Sequence, residues 1–276
     1  MKHYKTVLTI AGSDSCGGAG IQADLKTFSA LCCYGMSAIT VLTAQNTQGV
    51  QAFNKVSAKF VRKQIESVFD DIKVDAIKTG LLLTADIINT VAAAVGNYQK
   101  KALIVDPVMV AKNKKVLLNK SAQKAMLDKL FPLATLVTPN IDEAEHLLDM
   151  LISNLDSMQE AAVKISNLGA RAVLIKGGHL SKMKKSVDCL YIKKENEFYW
   201  FALPRVNTKN THGAGCTLSA AITAYMAHGC DLVTAVTRAK KYVAGAILAG
   251  KQYRLGEGPG PTCHFYRKVS SPDNRQ

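Results

Sequence analysis

Short apolar segments rich in β-branched residues alternate with longer amphipathic segments along almost the whole chain. Residues 7–10 form the first apolar run, and after a glycine-rich loop residues 19–31 show the spacing of an amphipathic helix. Strands that alternate with helices build βαβ units, whose strands lie parallel in one sheet. The sequence therefore predicts an α/β fold with a mainly parallel central sheet and helices on both faces.

The same alternation places the other elements. Further strands are predicted at residues 37–45, 76–78, 103–105, 136–137 and 173–176, and helices at residues 58–69, 85–95, 121–130, 142–151, 158–168, 213–228 and 231–250. Residues 187–192 and 198–203 are apolar segments joined by a polar turn, which predicts an antiparallel hairpin at one edge of the sheet. No linker or repeat interrupts the pattern, so we expect one domain over residues 1–276, with an irregular tail from residue 256.

The composition is that of a folded globular protein. Of 276 residues, 48% are hydrophobic and 20% are charged, so the chain can bury a core without disulfides or a structural metal. The net charge is +14, but 28 of the 35 basic residues are lysine, whereas proteins that read nucleic acid favour arginine. We expect no nucleic-acid partner, and binding of nucleic acid through the lysine-rich surface stays an alternative.

Seven cysteines are scattered without the spacing of a disulfide framework or a zinc site. Free thiols are typical of a reducing compartment, and no uncharged stretch reaches the length of a membrane span. The sequence therefore predicts a cytoplasmic protein with no membrane partner.

Polar and glycine-rich segments follow the predicted strands. In an open α/β sheet the functional site lies beyond the carboxyl ends of the strands, so we expect these segments to meet there. They are residues 12–20, 45–46, 79–80, 106–107, 138–140, 176–179 and, after the hairpin, 210–217.

Residues 12–20, GSDSCGGAG, follow the first strand. Their spacing is neither that of the dinucleotide-binding G-x-G-x-x-G nor that of a P-loop, and no acidic residue ends the second strand. Two interpretations remain. The segment is a tight turn that leads into a helix, or it is a loop whose backbone approaches a small substrate, because glycine has no Cβ in the way.

A very apolar helix is preceded by four small residues, Gly213, Ala214, Gly215 and Cys216. Small residues leave the first amides of a helix accessible and the helix dipole adds positive charge, so the segment predicts an anion-binding site. The same dipole predicts a lowered pKa for the Cys216 thiol, which would suit a base or a nucleophile. The alternative is a buried, inert cysteine.

Asn140 and Glu143 stand three residues apart at the start of a predicted helix, on one face. A carboxylate and an amide oxygen suit a Mg²⁺ that keeps most of its waters, and the alternative is an ordinary helix cap. Asp106, at a strand end, has a similar alternative as a turn residue. Lys176, beside two glycines, could reach a phosphate, whereas His212 is more typical of a packing or hydrogen-bonding residue than of a base.

Six segments together resemble the hydroxymethylpyrimidine/phosphomethylpyrimidine kinases, the thiamine-biosynthesis branch of the ribokinase-like superfamily. The matches keep their order over roughly residues 6–265. The first block and the final GAGC are specific to this branch, since relatives that act on sugars usually end the latter motif in Asp. The segments are AGSDSCGGAGIQADLKTF (11–28), TAQNT (43–47), DPVM (106–109), TPNIDEA (138–144), KGGH (176–179) and NTHGAGCT (210–217).

The resemblance implies a ribokinase-like fold and an ATP- and Mg²⁺-dependent kinase that forms a homodimer. Its small-molecule pyrimidine substrate would be 4-amino-5-hydroxymethyl-2-methylpyrimidine, followed by the monophosphate, which becomes the diphosphate. Gly12, Asp24, Gln45 and Val108 would line the pyrimidine pocket. The amide of Gln45 suits this role because it can both donate to and accept from an aminopyrimidine edge.

The resemblance also implies roles for the residues that handle phosphate and metal. Cys216 would be the catalytic base, and the amides of Gly213, Ala214, Gly215 and Cys216 would stabilise the transferring phosphoryl group. Lys176 would hold a phosphate. Nucleotide binding would involve Asn140, Lys176 and Thr211, and metal binding would involve Asp106 and Glu143.

Two segments depart from the family's pattern. Leu81 stands where the family often has methionine, which keeps an apolar wall but removes a flexible thioether. Residues 112–115, KNKK, replace a Lys/Thr-Ser-Gly turn that can close over the nucleotide in such folds.

Three other functions stay open. A pyridoxal kinase is the nearest, because some members of this branch with the same cysteine motif accept pyridoxal, whose ring also carries a hydroxymethyl group. A non-catalytic pyrimidine-binding protein is the second, and the presence of Lys176, Glu143 and residues 213–216 argues against it. Nucleic-acid binding is the third, and it would weaken steeply with added salt.

Overall fold

Helices and strands alternate along the chain as the sequence predicts. The computed structural model describes residues 2–98, 101–109, 117–179 and 184–267. The strands are β1 (Lys5–Asp14), β2 (Cys33–Asn46), β3 (Gly49–Lys55), β4 (Ala76–Thr79), β5 (Ala102–Val105), β6 (Leu136–Val137), β7 (Ala172–Ile175), β8 (Lys185–Ile192) and β9 (Glu197–Pro204). The helices are α1 (Gly20–Ala30), α2 (Ala58–Phe69), α3 (Ala85–Gly96), α4 (Lys120–Ala125), α5 (Ile141–Leu148), α6 (Leu155–Asn167), α7 (Ala214–Ala227) and α8 (Leu232–Gly250).

The strands form one sheet in the order β3-β2-β1-β4-β5-β6-β7-β8-β9. Strands β2, β1, β4, β5, β6 and β7 pair in parallel, and β8 and β9 add the predicted antiparallel hairpin at one edge. These pairings confirm the mainly parallel α/β sheet.

Residues 112–115, which depart from the family's turn pattern, lie outside the residues that the structure describes.

Strand β3 was not predicted. It pairs antiparallel with β2 at the other edge of the sheet, so both edges carry a hairpin. Six of its seven residues are exposed, and no buried face alternates with a solvated one. Because β3 takes no part in the core, its sequence lacks the apolar period that marks the other strands.

The helix predicted at residues 142–151 ends earlier, at Leu148. Asp149 adopts a left-handed conformation with φ of 49°, and a residue in that conformation ends a helix. The start of α5 has a full capping box, in which the Asn140 side chain accepts from the Glu143 amide and the Glu143 side chain accepts from the Asn140 amide.

The core lies on both faces of the sheet. Helices α2 to α6 cover one face and helices α1, α7 and α8 cover the other. Helix α7 carries the fully buried small residues Ala220, Ala221 and Ala224, which let its backbone lie close to the sheet. Its amino terminus is thereby brought to the carboxyl ends of the parallel strands. Among the residues described, no helix has the length and apolar character needed to cross a membrane.

Candidate active site

The glycine-rich segment after β1 turns around one buried carboxylate. Asp14 Oδ1 accepts a hydrogen bond from the amide of Cys16 at 2.9 Å, and Oδ2 accepts from the amides of Gly18 and Ala19 at 3.1 and 2.8 Å. Burial alone would raise the pKa of Asp14, but His212 and these amides outweigh it and hold the pKa below its usual value. The carboxylate therefore stays ionised and organises the loop.

This loop packs directly against the segment that precedes α7. Gly213 has a left-handed φ of 76°, and a Cβ built there would lie 1.7 Å from the carbonyl oxygen of Gly18. A Cβ on Gly18 would in turn lie 2.3 Å from Cδ2 of His212. Only glycine permits this approach, so residues 12–20 and 211–216 form one surface.

The first turn of α7 offers backbone amides at this surface. The Ala214 amide already bonds the Thr211 carbonyl at 3.2 Å, so the amides of Gly215 and Cys216 are the better candidates for binding an anion. Lys176 is close to them, since a Cβ on Gly215 would lie 3.5 Å from Lys176 Nζ. Two predicted phosphate-binding features therefore meet in space.

The thiol of Cys216 does not behave as the sequence predicts. Its pKa is raised to about 11, chiefly by burial and also by the carboxylates of Asp24 and Asp106. Lys78 and the amide of Gly20 lower it, but they do not compensate. The expected lowering at the helix terminus was wrong for this structure, because loss of hydration and two nearby negative charges outweigh the helix dipole.

Lys176 joins the two predicted metal-binding carboxylates. Its Nζ lies 2.8 Å from Asp106 Oδ1 and 3.9 Å from Glu143 Oε2. Asp106 is buried at the end of β5 and also accepts from Thr138 Oγ1 at 3.2 Å and from Ser219 Oγ at 3.1 Å. Residues from four separate segments are thus held in one polar cluster.

The cluster sets the ionisation of its members. Burial raises the pKa of Glu143 to about 7, although Lys176 acts in the opposite direction. Burial would also raise the pKa of Asp106, but Lys176 and Lys78 outweigh it and keep that pKa below its ordinary value. Asp106 is therefore the charged carboxylate at neutral pH, and Glu143 is the one that titrates there.

The donor set fits Mg²⁺ that arrives with a nucleotide. Within the described part of the chain, no group of three or more His, Cys, Asp or Glu side chains is arranged to hold a metal ion by itself. Mg²⁺ commonly keeps several waters and is bound through one or two carboxylates plus substrate phosphates. Asp106 and Glu143, both beside Lys176, match that requirement. Asn140 is less available, because its side-chain oxygen caps α5.

Gln45 and Gly12, two of the residues predicted to line a pyrimidine pocket, both lie beside the first glycine loop. Ser15 Oγ bonds both the amide and the carbonyl of Gln45 at 2.8 Å, which fixes the end of β2 to the glycine loop. A Cβ on Gly12 would lie 2.7 Å from Val41 Cγ1, so a larger residue would not fit there. Val108 is half-buried, and its amide bonds the Asp106 carbonyl at 2.9 Å.

Asp24, also predicted to line the pyrimidine pocket, is enclosed within the protein. Its side chain has no exposed surface, and Lys78 Nζ lies 3.0 and 2.8 Å from its two carboxylate oxygens. Thr9 Oγ1 donates to the same carboxylate at 2.6 Å. In this structure Asp24 therefore does not line an open pocket, because an ion pair inside the protein occupies its carboxylate.

Sequence reasoning missed four residues of this region. Asp14 is the only acidic residue in the first glycine loop, and that isolation was a usable signal. Ser15 lies beside it in the same motif. Lys78 is a charged residue inside an apolar strand, which is itself unusual, whereas Ser219 had no sequence signal because it lies among other small residues of α7.

The fold is that of the ribokinase-like small-molecule kinases. The structure of a pyridoxal kinase from Bacillus subtilis, solved as an ADP complex, superposes with a TM-score of 0.87 at 40% identity, covering 97% of this chain and 100% of that one. Within this class, a family model described as phosphomethylpyrimidine kinase matches residues 14–263. The chain belongs to that family.

Curated relatives agree with the family model. A hydroxymethylpyrimidine/phosphomethylpyrimidine kinase from Rhizobium meliloti is 46% identical over 94% of this chain and 97% of its own length. The thiamine biosynthesis bifunctional protein ThiED from Geobacter sulfurreducens is 50% identical over 94% of this chain. This chain spans 52% of that longer relative.

Proposed function

We propose that this protein transfers the γ-phosphoryl group of ATP to 4-amino-5-hydroxymethyl-2-methylpyrimidine and then phosphorylates the monophosphate to the diphosphate, for thiamine biosynthesis. The observation that carries the proposal is the family match over residues 14–263, which includes most of the first glycine loop, residues 210–217 and the lysine–carboxylate cluster. The relative from Rhizobium meliloti, similar over nearly its whole length, is named for both phosphorylation steps. As a single domain over residues 1–276 the chain would suffice for both.

The site residues would divide the phosphoryl transfer between them. In the first transfer the substrate hydroxyl oxygen forms a bond to the γ-phosphorus, and in the second an oxygen of the monophosphate does so. In each, the bond from that phosphorus to the bridging oxygen breaks, and ADP leaves with the bonding electrons. Lys176 and the amides at the start of α7 would stabilise the charge on the transferring group. Thr211 and Asn140 would contribute to nucleotide binding. In the first transfer Cys216, as thiolate, would accept the proton of the hydroxyl.

Asp106 and Glu143 would hold Mg²⁺ through its bound waters, and the ion would neutralise phosphate charge. We expect Glu143→Gln to require about tenfold more Mg²⁺ for half-maximal activity, because a neutral amide attracts the hydrated cation less. A Mg²⁺ titration at saturating ATP measures this, with Glu145→Gln on the same helix as a control. An unchanged titration would move the metal site away from Glu143.

Gly12, Gln45 and Val108 would surround the pyrimidine ring, with Gln45 pairing to its aminopyrimidine edge. A pyridoxal kinase is the second candidate, because the Bacillus subtilis structure that superposes on this chain carries that name. Both ring systems present a hydroxymethyl acceptor, so the phosphate side of the site would serve either.

A homodimer and a cytoplasmic location complete the proposal. The exposed edge strand β3, with Val50 and Phe53 more than half exposed, offers a surface for a second copy. Sedimentation equilibrium of the purified protein tests the dimer, and a single species of about 30 kDa would exclude it.

The test of function is ATP consumption by purified protein with Mg²⁺, with the hydroxymethylpyrimidine and pyridoxal supplied in separate reactions and the product masses measured. Mono- and diphosphate from the pyrimidine are expected. Product from pyridoxal alone would establish the second candidate. Absence of product from both would reject catalysis and leave a pyrimidine-binding protein.

A further inference from the structure

His212 connects the two halves of the site. Its Nε2 lies 2.9 Å from Asp14 Oδ2 in the first glycine loop and 3.5 Å from the side-chain amide of Gln45 at the end of β2. The residue itself immediately precedes Gly213 and the first turn of α7. One ring nitrogen therefore faces both the carboxylate that organises a loop and the amide assigned to the pyrimidine.

The contact with Asp14 determines where the proton lies. An ionised carboxylate can only accept hydrogen bonds, and Asp14 already accepts three from backbone amides. For the 2.9 Å contact to be a hydrogen bond, Nε2 of His212 must carry a proton and donate it. This holds for the neutral ring and for the protonated ring alike.

The proton on His212 in turn determines the orientation of the Gln45 amide. As placed, the amide nitrogen of Gln45 lies 3.5 Å from Nε2 of His212, which sets one donor against another. The Nε2 proton is donated chiefly to Asp14, and a half turn of the Gln45 amide would remove the conflict, because the amide oxygen would then face that N–H. The contacts of Thr43 favour the same orientation of the Gln45 amide. Its hydroxyl donates to the Ser13 carbonyl at 2.9 Å and has no second proton for Gln45 Oε1, which lies 3.3 Å away. The same half turn of the amide would bring the NH₂ group of Gln45 to this hydroxyl, which could then accept from it.

We propose that His212, oriented by Asp14, is a positioning residue that holds the Gln45 amide in one of its two senses and thereby sets the donor and acceptor pattern offered to the substrate. An aminopyrimidine edge carries a donor amino group beside an acceptor ring nitrogen, so it pairs with an amide in one sense only. The role rests on the proposed function, since it assigns a purpose to Gln45 in recognition of the aminopyrimidine.

Kinetics of three variants test the role. His212→Leu removes the donor, and the KM for the hydroxymethylpyrimidine should rise about tenfold, the loss of one hydrogen bond, while the KM for ATP stays within twofold. His212→Gln keeps an N–H near the position of Nε2 and should recover most of the affinity. His228→Leu is the matched control, because His228 also bonds a carbonyl, that of Leu31 at 2.8 Å, at the far end of α7.

A double variant separates positioning from general damage. In a Gln45→Met background, His212→Leu should change the pyrimidine KM less than twofold, because the amide through which it acts is absent. Equal effects of His212→Leu in both backgrounds would overturn the proposal. So would a parallel rise in the KM values for ATP and pyrimidine, which indicates a loop that has simply lost its structure.

The histidine tautomer provides a readout that needs no activity. Nitrogen-15 NMR of the ring should show a protonated Nε2 for His212 in the wild type, and Asp14→Asn should weaken that preference. A bare Nε2 would overturn the proposal whatever the kinetics show. If the wild type phosphorylates no substrate while Nε2 is protonated, the proposed function fails, and calorimetric titration of the pyrimidine into wild type and His212→Leu decides the positioning role.

Discussion

The pKa values of individual ionisable groups at this site depend on residues that are distant in the sequence. Cys216 lies at a helix amino terminus, which favours a thiolate, yet its pKa is raised to about 11 because burial and the carboxylates of Asp24 and Asp106 disfavour the charge. At neutral pH the resting thiol is therefore protonated. A base with such a pKa works through a small thiolate fraction, which grows with pH.

This property leads to a prediction for the reaction. If Cys216 accepts the substrate proton, kcat/KM should rise nearly tenfold per pH unit between pH 8 and 10, above the pKa of about 7 at Glu143. Cys216→Ala should lose at least about 100-fold in kcat and should lose this slope, while keeping affinity for the pyrimidine. A flat wild-type profile above pH 8, or full turnover by the variant, would remove Cys216 as the base. Cys230→Ala is the control, because Cys230 lies beyond the carboxyl end of α7, away from the site.

Pairs of elements are joined by charges buried between them. Lys78 on β4 and Asp24 on α1 have no exposed side-chain surface, and their atoms approach to 2.8 Å. A second, nearly buried pair joins Lys240 on α8 to Asp188 on β8, with 2.6 Å between the charged atoms. Asp188 also accepts from the amide of Gly177, beside Lys176. These contacts fix helices to the strands whose ends carry the site.

We expect Asp24→Asn to lower the free energy of unfolding by about 3–5 kcal/mol, because it leaves Lys78 as an uncompensated buried charge. Urea unfolding measures this. Glu66→Gln, in the exposed pair with Arg62, is the control and should change stability by less than about 0.5 kcal/mol. If Asp24→Asn instead raised the pyrimidine KM without loss of stability, Asp24 would be a pocket residue and not a structural one.

At the scale of the whole molecule, the segment after α8 joins distant parts of the site. The amide of Gly258 bonds Thr47 Oγ1 at 3.1 Å, the amide of Gly260 bonds Asn210 Oδ1 at 3.0 Å, and His264 Nε2 lies 3.0 Å from Thr217 Oγ1 on α7. The tail predicted to be irregular does lack helices and paired strands over its described residues, but it is held in place.

The pH dependence of stability tests that attachment. Burial lowers the pKa of His264 to about 4, whereas an unfolded histidine titrates near 6.5. Between these values the unfolded chain binds the extra proton, so the free energy of unfolding should fall as pH is lowered from about 6.5 to 4, by up to about 1.4 kcal/mol per unit.

His264→Gln should remove this contribution of His264 to the pH dependence of the free energy of unfolding. Glu143 contributes with the opposite sign, because its pKa is raised on folding and stability declines as pH rises through the same range. The difference between wild type and His264→Gln cancels the Glu143 contribution, and urea unfolding at several pH values measures it. A difference that does not vary with pH would show that His264 is hydrated in the folded protein.

The alternation of apolar and amphipathic segments determined the class of fold, because each period reports locally which face of an element is buried. It also placed Lys176, Asp106, Gln45 and residues 213–216 at one edge of the sheet, since parallel strands all end there. The alternation did not predict strand β3, because none of the residues of β3 belongs to the core. The expectation of one domain over residues 1–276 stays a prediction.

Only the tertiary structure decided how these groups affect each other. Asp24 and Lys78 are 54 positions apart, and Asp14 and His212 are 198 positions apart. A pattern within one segment cannot show which charge a distant segment brings beside it. The pKa of Cys216, the burial of Asp24 and the orientation of the Gln45 amide depend on such partners and on lost hydration, both of which exist only once the chain has folded.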